Sequence, residues 1–159
     1  MADPDETISI DVHRRLAVDL YNRAWALLET PDRTEEQDDE MVHTAHASRY
    51  HWAQVGNGPR LARGEWQCSW VYSELERAEP ALHHARRCEA LCHAHEDELE
   101  DFDLPVMHEA LAKAQLVAGN RQEARRHIDL ARRLCAQIED SEDRELIELQ
   151  IDSVAAALE

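Results

Sequence analysis

The stretch EWQCSWVYSELERAEPALHHARRC, residues 65–88, indicates the fold most directly, because a second stretch repeats its pattern. A shift of 43 positions, residue 65 onto residue 108, aligns it with HEALAKAQLVAGNRQEARRHIDLARRLC, residues 108–135. Small residues are needed where paired helices approach closely, and both stretches keep small or apolar residues at the same places. The aligned pairs are Cys68 and Leu111, Ser69 and Ala112, Tyr72 and Gln115, Ala81 and Ala124, Ala85 and Ile128, Cys88 and Ala131, and Cys92 and Cys135. The sequence therefore predicts two successive helical hairpins that pack alike.

The composition favours an all-α fold. A chain of 159 residues suits one hydrophobic core, and 43% apolar with only 5% aromatic residues predicts an interior of small aliphatic side chains. Four glycines and five prolines are few, and the long stretches rich in alanine, leucine, glutamate and arginine have high helix propensity. The sequence contains no long apolar run, and its N-terminal stretch MADPDETISI is acidic, unlike a signal peptide. We therefore expect a cytoplasmic protein that does not bind membranes.

Hydrophobic periodicity and breaker residues predict seven helices. Thr34 and Gln37 have the form of a capping box before the second helix, and Asp103 and Ser141 are expected as N-caps of the fifth and seventh. The predicted helices span about residues 8–29, 34–55, 59–77, 79–95, 103–118, 121–139 and 141–158.

These helices predict one domain, residues 1–159, built from antiparallel hairpins. The last helix is expected to cap the array and to pack on the sixth helix through Leu146, Leu149, Val154 and Leu158. The predicted parts are an N-terminal hairpin (8–55), a first repeat (59–95), a second repeat (103–139) and the capping helix (141–158).

The two aligned hairpins resemble the tetratricopeptide repeat. In that family a tyrosine follows a small residue by one turn in the leading helix, as Tyr72 follows Ser69, and glycine ends this helix, as Gly119 does. The sequence departs from the family at Glu76, which stands where glycine is usual, and its period exceeds the usual ~34 residues. The resemblance covers about residues 62–138, and the chain is also similar to bacterial helical-repeat proteins.

The resemblance implies a short right-handed superhelix that binds a protein or peptide along its concave face. In the family the leading helices line that face, and here these are the third and fifth helices. The contact candidates that follow from helix phase and from this likeness are Glu65, Ser69, Tyr72, His108, Ala112 and Gln115.

The net charge of −17 argues against nucleic acid as a partner, because phosphates would be repelled over most of the surface. The charge can serve solubility alone, or it can favour a basic peptide or protein. The sixth helix carries the one basic stripe, which is expected to face water or acidic segments, with self-association as the alternative. Its members are Arg121, Arg125, Arg126, Arg132 and Arg133.

The segment HTAHASRYHW, residues 43–52, collects polar aromatic side chains on the second helix. His43, His46 and Tyr50 share one face, and the two histidines have the i, i+3 spacing that permits a shared metal. A half-buried hydrogen-bonded layer between hairpins and a small-ligand or peptide pocket are the other two interpretations. We expect the layer, and we expect neither a metal nor a cofactor.

No sequence pattern supports nucleophilic catalysis. The chain lacks a glycine-flanked serine elbow and a phosphate-binding glycine loop, and its four cysteines form no CxxC pair. The cysteines are expected to be small core residues. The sequence thus favours a non-enzymatic protein- or peptide-binding module, and the alternative is a small-ligand or metal-binding sensor or enzyme that uses the histidines, tyrosines and glutamates.

Overall fold

A computed structural model describes residues 7–159, and these form an all-α fold, as the sequence predicts. No β-strand occurs in this range. A short 3₁₀ turn, Glu96–Glu98, lies in the acidic connection, and the first six residues of the acidic N-terminal stretch lie outside the described part. The helices are α1 (Ile10–Leu28), α2 (Glu35–Val55), α3 (Gly58–Glu74), α4 (Ala78–Ala94), α5 (Asp103–Val117), α6 (Arg121–Cys135) and α7 (Ser141–Ala156).

Neighbouring helices pack in pairs, which gives three hairpins: α1 with α2, α3 with α4, and α5 with α6. The leading helices α1, α3, α5 and α7 lie side by side in a row. Each trailing helix, α2, α4 or α6, packs against its own leading helix and against the next one. This arrangement leaves the other side of the row of leading helices uncovered by the trailing helices. No helix in residues 7–159 is long and apolar enough to cross a membrane.

The second and third hairpins turn in the same way. The backbone N–H of Arg77 donates to the carbonyl of Tyr72 at 2.9 Å, and the N–H of Asn120 donates to the carbonyl of Gln115 at 2.9 Å. Both turns have the hydrogen bonds of a Schellman cap, which needs a residue with positive φ after the helix. Glu76 supplies it with a φ of 56°, and Gly119 with a φ of 81°. Glu76 therefore takes the conformation that its glycine-preferring position requires.

Small side chains fill the interfaces within these hairpins, as the aligned sequence predicts. Ala81 and Ala124 are fully buried at equivalent positions of α4 and α6. The hydroxyl of Ser69 donates to the carbonyl of Ala81 at 2.9 Å, which ties α3 to the first turn of α4. The four cysteines are all buried and free, so their expected role as core residues is confirmed.

The predicted helix caps are partly confirmed. Thr34 and Gln37 form the expected capping box at the start of α2. The predictions for the other two caps were wrong, because Phe102 precedes α5 and Asp140 precedes α7. Asp103 lies instead in the first turn of α5, where its carboxylate accepts two hydrogen bonds from Arg63 at 2.8 Å.

The capping helix α7 packs through a different stripe from the one predicted. Leu146 and Leu149 are 57% and 70% exposed, so their predicted contact with α6 was wrong. The other two predicted positions belong to the stripe that is buried, because α7 carries apolar residues on two faces and only one can meet α5 and α6. The buried stripe consists of Ile147, Ile151, Val154 and Leu158.

Polar contacts reinforce this placement of α7. Arg132 pairs with Asp152 at 2.9 Å, and Arg121 donates to the carbonyl of Leu158 at 2.6 Å. Two arginines of the basic stripe, Arg121 and Arg132, therefore help to hold α7 against α6.

Candidate binding groove

A groove runs between α1 and α7, over the leading helices α3 and α5. One of its cavities, of about 220 Å³, lies between Tyr21 of α1 and Leu146 of α7. A second, of about 350 Å³, continues from it between Trp25 and Leu149. We define the groove by the residues of both cavities, which are Tyr21, Trp25, Glu29, Arg63, Trp66, Trp70, Phe102, Val106, Asp143, Leu146, Ile147, Leu149, Gln150 and Ser153.

Three tryptophans form the centre of the groove. Trp25 of α1 stacks on Trp66 of α3 with ring centroids 5.5 Å apart, and Trp70 lies 5.8 Å from both rings. Trp66 and Trp70 are one helical turn apart, so both rings project from the same side of α3. Trp66 is buried, whereas Trp25 and Trp70 are half-buried. The cluster thus offers aromatic faces to any molecule that enters the groove.

Glu109 of α5 lies fully buried beneath this cluster. Its Oε2 accepts the indole N–H of Trp66 at 3.1 Å and that of Trp70 at 3.0 Å. Its Oε1 is buried without a hydrogen-bond partner. Burial raises the pKa of Glu109 to about 7, against the opposing effects of the two indole N–H groups and of Lys113. The carboxyl group can therefore exchange a proton near neutral pH while it holds two tryptophans.

Lys113 lies one turn beyond Glu109 on α5. Its ammonium nitrogen is 4.0 Å from the ring centroid of Trp70 and donates to Glu74 at 2.7 Å. The ring of Trp70 thus already holds a cation, and the charge of that cation is balanced by a carboxylate other than that of Glu109.

The opposite end of the groove carries a second balanced cation. Arg63 forms a two-pronged ion pair with the buried carboxylate of Asp103, and its guanidinium lies 4.8 Å from the ring centroid of Phe102. Burial acts to lower the pKa of Arg63, but Asp103 outweighs burial and raises it. Burial also raises the pKa of Tyr21 to about 12, so this phenol stays neutral. Arg63 in the groove and Lys113 beside Trp70 are therefore both paired with carboxylates.

The six contact candidates from the sequence lie inside or between the hairpins. Ser69 and Ala112 are fully buried against α4 and α6, and Gln115 accepts a hydrogen bond from Asn120 at 2.7 Å. Glu65 is buried between Arg49 and His84.

Tyr72 hydrogen-bonds to His46 at 2.9 Å, and His108 to His127 at 3.0 Å. Neither Tyr72 nor His108 is among the residues that define the groove. A contact role for the six candidates stays a prediction.

The three pocket candidates of α2 are separated. His46 meets Tyr72 and lies 5.1 Å, ring to ring, from His84. Tyr50 is 58% exposed and contacts the ring of His51, and His43 is exposed. His46 thus takes part in a layer between α2, α3 and α4, whereas Tyr50 lies outside it.

The layer around His46 is a connected polar network. His84 Nδ1 hydrogen-bonds to Glu65 at 2.6 Å, and Arg49 donates to the other oxygen of the same carboxylate at 3.1 Å. Burial acts to raise the pKa of Glu65, but His84 and Arg49 outweigh it and hold this pKa below its usual value. Burial lowers the pKa of His46, and the nearby His84 lowers it further. The network therefore favours a charged Glu65 beside a neutral His46.

The residues that build the groove were not among the binding candidates predicted from the sequence. Trp66 and Trp70 stand one position after Glu65 and Ser69, which rotates them by about 100° around the helix. One signal was present in the sequence, since three of the four tryptophans lie on two leading helices, and two of them have the i, i+4 spacing. Glu109 gave no such signal, because its burial depends on α3.

Among residues 7–159, no group of three or more His, Cys, Asp or Glu side chains is arranged to hold a metal ion. Comparison of the chain with protein-family models, with curated proteins and with solved structures gives no match.

Proposed function

We propose that the protein is a non-enzymatic, tetratricopeptide-like interaction module, and that its groove binds an amphipathic, basic segment of a partner protein. The observation that carries the proposal is the apolar surface that faces α1 from α7. Leu149 and Leu146 are the two most exposed leucine or isoleucine residues of α7. Both lie at the cavities that the three tryptophans line. Large apolar side chains grouped in a groove indicate a contact surface, whereas scattered ones do not.

The packing of the helices supports the tetratricopeptide-like assignment. The hairpins of α3–α4 and α5–α6 share their Schellman caps and their buried small residues at a spacing of 43 positions, for example Ala81 and Ala124. Stacked hairpins of this kind present their leading helices on one face, where extended surfaces for peptides form. In this protein that face is the groove.

The charge distribution favours a basic partner. The chain carries a net charge of −17, and Glu29 and Asp143 lie along the groove without an ion pair among the described residues. Arg63 and Lys113 are already neutralised by Asp103 and Glu74. Basic residues on an incoming segment would therefore meet uncompensated carboxylates, which speeds association and favours the correct partner.

The test is a selection of peptides from a random library on the immobilised protein, followed by affinity measurement with two variants. Leu149→Lys places a positive charge in the groove, where it would repel a basic segment, and Ile10→Lys places the same charge on an isoleucine that is 63% exposed outside it. Both side chains are exposed, so both variants are expected to fold. The proposal expects selected peptides to be rich in lysine, arginine and apolar residues and to lose affinity only for Leu149→Lys. Peptides that bind both variants equally would refute it.

The second candidate function is a small-ligand or metal-binding sensor or enzyme, and one observation favours it. Glu65 holds Nδ1 of His84 at 2.6 Å, an arrangement that fixes the ring orientation in which the opposite nitrogen could contact a metal or a small ligand. His46 lies beside that ring. Metal content of the purified protein, compared with that of His84→Ala and His46→Ala, separates the two functions: bound metal that both substitutions remove would favour the second.

We also propose that the protein acts in the cytoplasm. Cys88 and Cys92 lie one turn apart on α4, both buried and free, and free cysteines are usual in a reducing compartment.

A further inference from the structure

The larger cavity of the groove has walls of two chemical kinds. Trp25 and Trp70 form the aromatic side, with ring centroids 5.8 Å apart and planes inclined by 52°. Leu146 and Leu149 form the aliphatic side, and Glu29 lies at the same cavity. Inclined aromatic rings beside a carboxylate are the surroundings in which proteins hold ammonium groups.

Two contacts of Trp70 bear on its affinity for a cation. Its ring holds the ammonium of Lys113 at 4.0 Å, but Glu74 balances that charge at 2.7 Å and Lys113 does not line the cavity, so the repulsion of a second cation is small. Its indole N–H donates to the carboxyl group of Glu109 at 3.0 Å. When Glu109 is ionised, its negative charge at the N–H pushes electron density into the ring, which strengthens the attraction of the ring face for a cation.

Two carboxyl groups near the cavity have no cationic partner among residues 7–159. Glu29 is exposed and forms no ion pair, and Glu109 is fully buried with Oε1 unbonded. Lys113, which acts on Glu109 by lowering its pKa, is itself held by Glu74 at 2.7 Å. A positive charge that entered beside Trp70 would therefore reduce an imbalance of charge that the protein itself leaves.

We infer that this cavity is a site for an alkylammonium group, namely a lysine side chain of the bound segment. The inference rests on the proposed function for the source of that side chain. The aliphatic part of the lysine lies against Leu146 and Leu149, and its ammonium lies against the rings of Trp25 and Trp70, near Glu29. The leucine wall selects an alkyl chain, and the aromatic wall with its carboxylate selects the charge.

The test uses n-butylammonium, which has the length of a lysine side chain, and n-butanol, which is its neutral counterpart. Both are titrated into ¹⁵N-labelled protein, and the indole N–H signals of the four tryptophans are followed by NMR. The expected result is a saturable shift of the Trp25 and Trp70 signals by n-butylammonium, at least about fivefold tighter than by n-butanol. The signal of Trp52, which lies against Arg60 outside this cavity, is expected to stay in place.

Two matched substitutions complete the test. Glu29→Gln removes the exposed carboxylate at the cavity and is expected to weaken n-butylammonium binding about two- to fivefold. Glu79→Gln removes an exposed carboxylate from the start of α4 and is expected to change nothing. Equal binding of amine and alcohol, or an affinity for the amine that Glu29→Gln leaves unchanged, would overturn the inference.

The outcomes also separate this inference from the proposed function. Selected peptides that bind the groove while n-butylammonium does not would overturn the cation site and leave the interaction module standing. Binding of n-butylammonium by a protein that selects no peptide would support the cation site and count against the peptide-binding function. Selected peptides that lose affinity when one lysine is replaced by norleucine would support both.

Discussion

The equivalence of the two turns predicts opposite effects for two substitutions at one structural position. Glu76 and Gly119 both have positive φ, 56° and 81°, at the end of a leading helix. In this region a residue with a Cβ is about 1–2 kcal/mol less favourable than glycine in the folded state. Glycine loses roughly 0.4–1 kcal/mol of this advantage, because the unfolded chain has more conformational freedom at a glycine. Glu76→Gly should therefore raise the free energy of unfolding by about 0.5–1 kcal/mol. Gly119→Ala should lower it by about 1 kcal/mol.

The Gly119 substitution isolates the backbone effect, because a Cβ placed there meets no atom within 4 Å. Urea unfolding followed by circular dichroism measures both changes, and 1 kcal/mol corresponds to about 2–4 °C in Tm for a chain of this size. The control is Glu145→Gly, an exposed position inside α7, which should destabilise by about 1 kcal/mol because its backbone is helical. Destabilisation by Glu76→Gly of the same size as by Glu145→Gly would refute the shared turn.

Three further predictions follow from the core, from the histidine pairs and from Glu109. Ala81→Leu should lower the free energy of unfolding by about 1–3 kcal/mol, because the larger side chain overpacks the fully buried contact between α3 and α4. Ala90→Leu, on the exposed face of α4, should leave the free energy of unfolding nearly unchanged. Urea unfolding measures both. Burial, together with the nearby His127 and Arg126, lowers the pKa of His108 from 6.5 to about 4, so stability should be greatest above pH 6.5 and should fall as the pH decreases towards 4. Because His108 is only partly buried, solvent screening should limit this loss to about 1–2 kcal/mol. A pH series on His108→Gln should show a smaller loss, and an unchanged loss would count against His108 as its cause. Burial raises the pKa of Glu109 to about 7, so deprotonation of Glu109 should change the tryptophan fluorescence with a midpoint near pH 7. Glu109→Gln should abolish this fluorescence transition. A transition that persists in the variant would show that another group causes it.

The histidine and glutamate effects act in opposite pH directions. The folded pKa of His108 lies below its unfolded value, so the unfolded chain takes up the proton first as the pH falls, and stability is lost. The folded pKa of Glu109 lies above 4.5, so the folded chain keeps its proton longer as the pH rises, and stability is lost between pH 4.5 and pH 7. The two pH ranges, about 4–6.5 and 4.5–7, overlap, so single substitutions at the two positions should change the slope of the stability profile there in opposite directions.

The helices could be predicted from the sequence because their signals are local. Breakers such as Pro59 and Gly119 and the capping box at Thr34 act through the backbone of a few neighbouring residues, and the structure places the helices within a few residues of the predicted ranges. The repeat could also be predicted from the sequence, because small residues such as Ala81 and Ala124 mark the points where paired helices approach closely.

The groove could not be predicted in the same way, because it depends on the rotation of each helix about its axis. On α3 a polar stripe with Glu65 and Ser69 lies next to the stripe with Trp66 and Trp70, and periodicity alone does not tell which one faces α4. On α7 both Leu149 and Ile151 belong to plausible apolar stripes, and the choice depends on how α7 meets α5 and α6.

The histidines depended on tertiary partners as well. His46 and Tyr50 share a face of an ideal helix, but Tyr72 and His84 surround the first, whereas the second contacts His51. The partners of His46 come from other helices, so the sequence of α2 alone could not show that His46 and Tyr50 have different surroundings.

The central claim is that the groove between α1 and α7 is the surface that binds the partner. The most direct test is an NMR map of backbone and indole N–H shifts on addition of a peptide selected on the protein. The account predicts that the shifts cluster at groove positions of α1, α3 and α7, among them Trp25, Trp70 and Leu149. Shifts that cluster on the outer faces of α2, α4 and α6, with the three groove tryptophan signals unmoved, would contradict it.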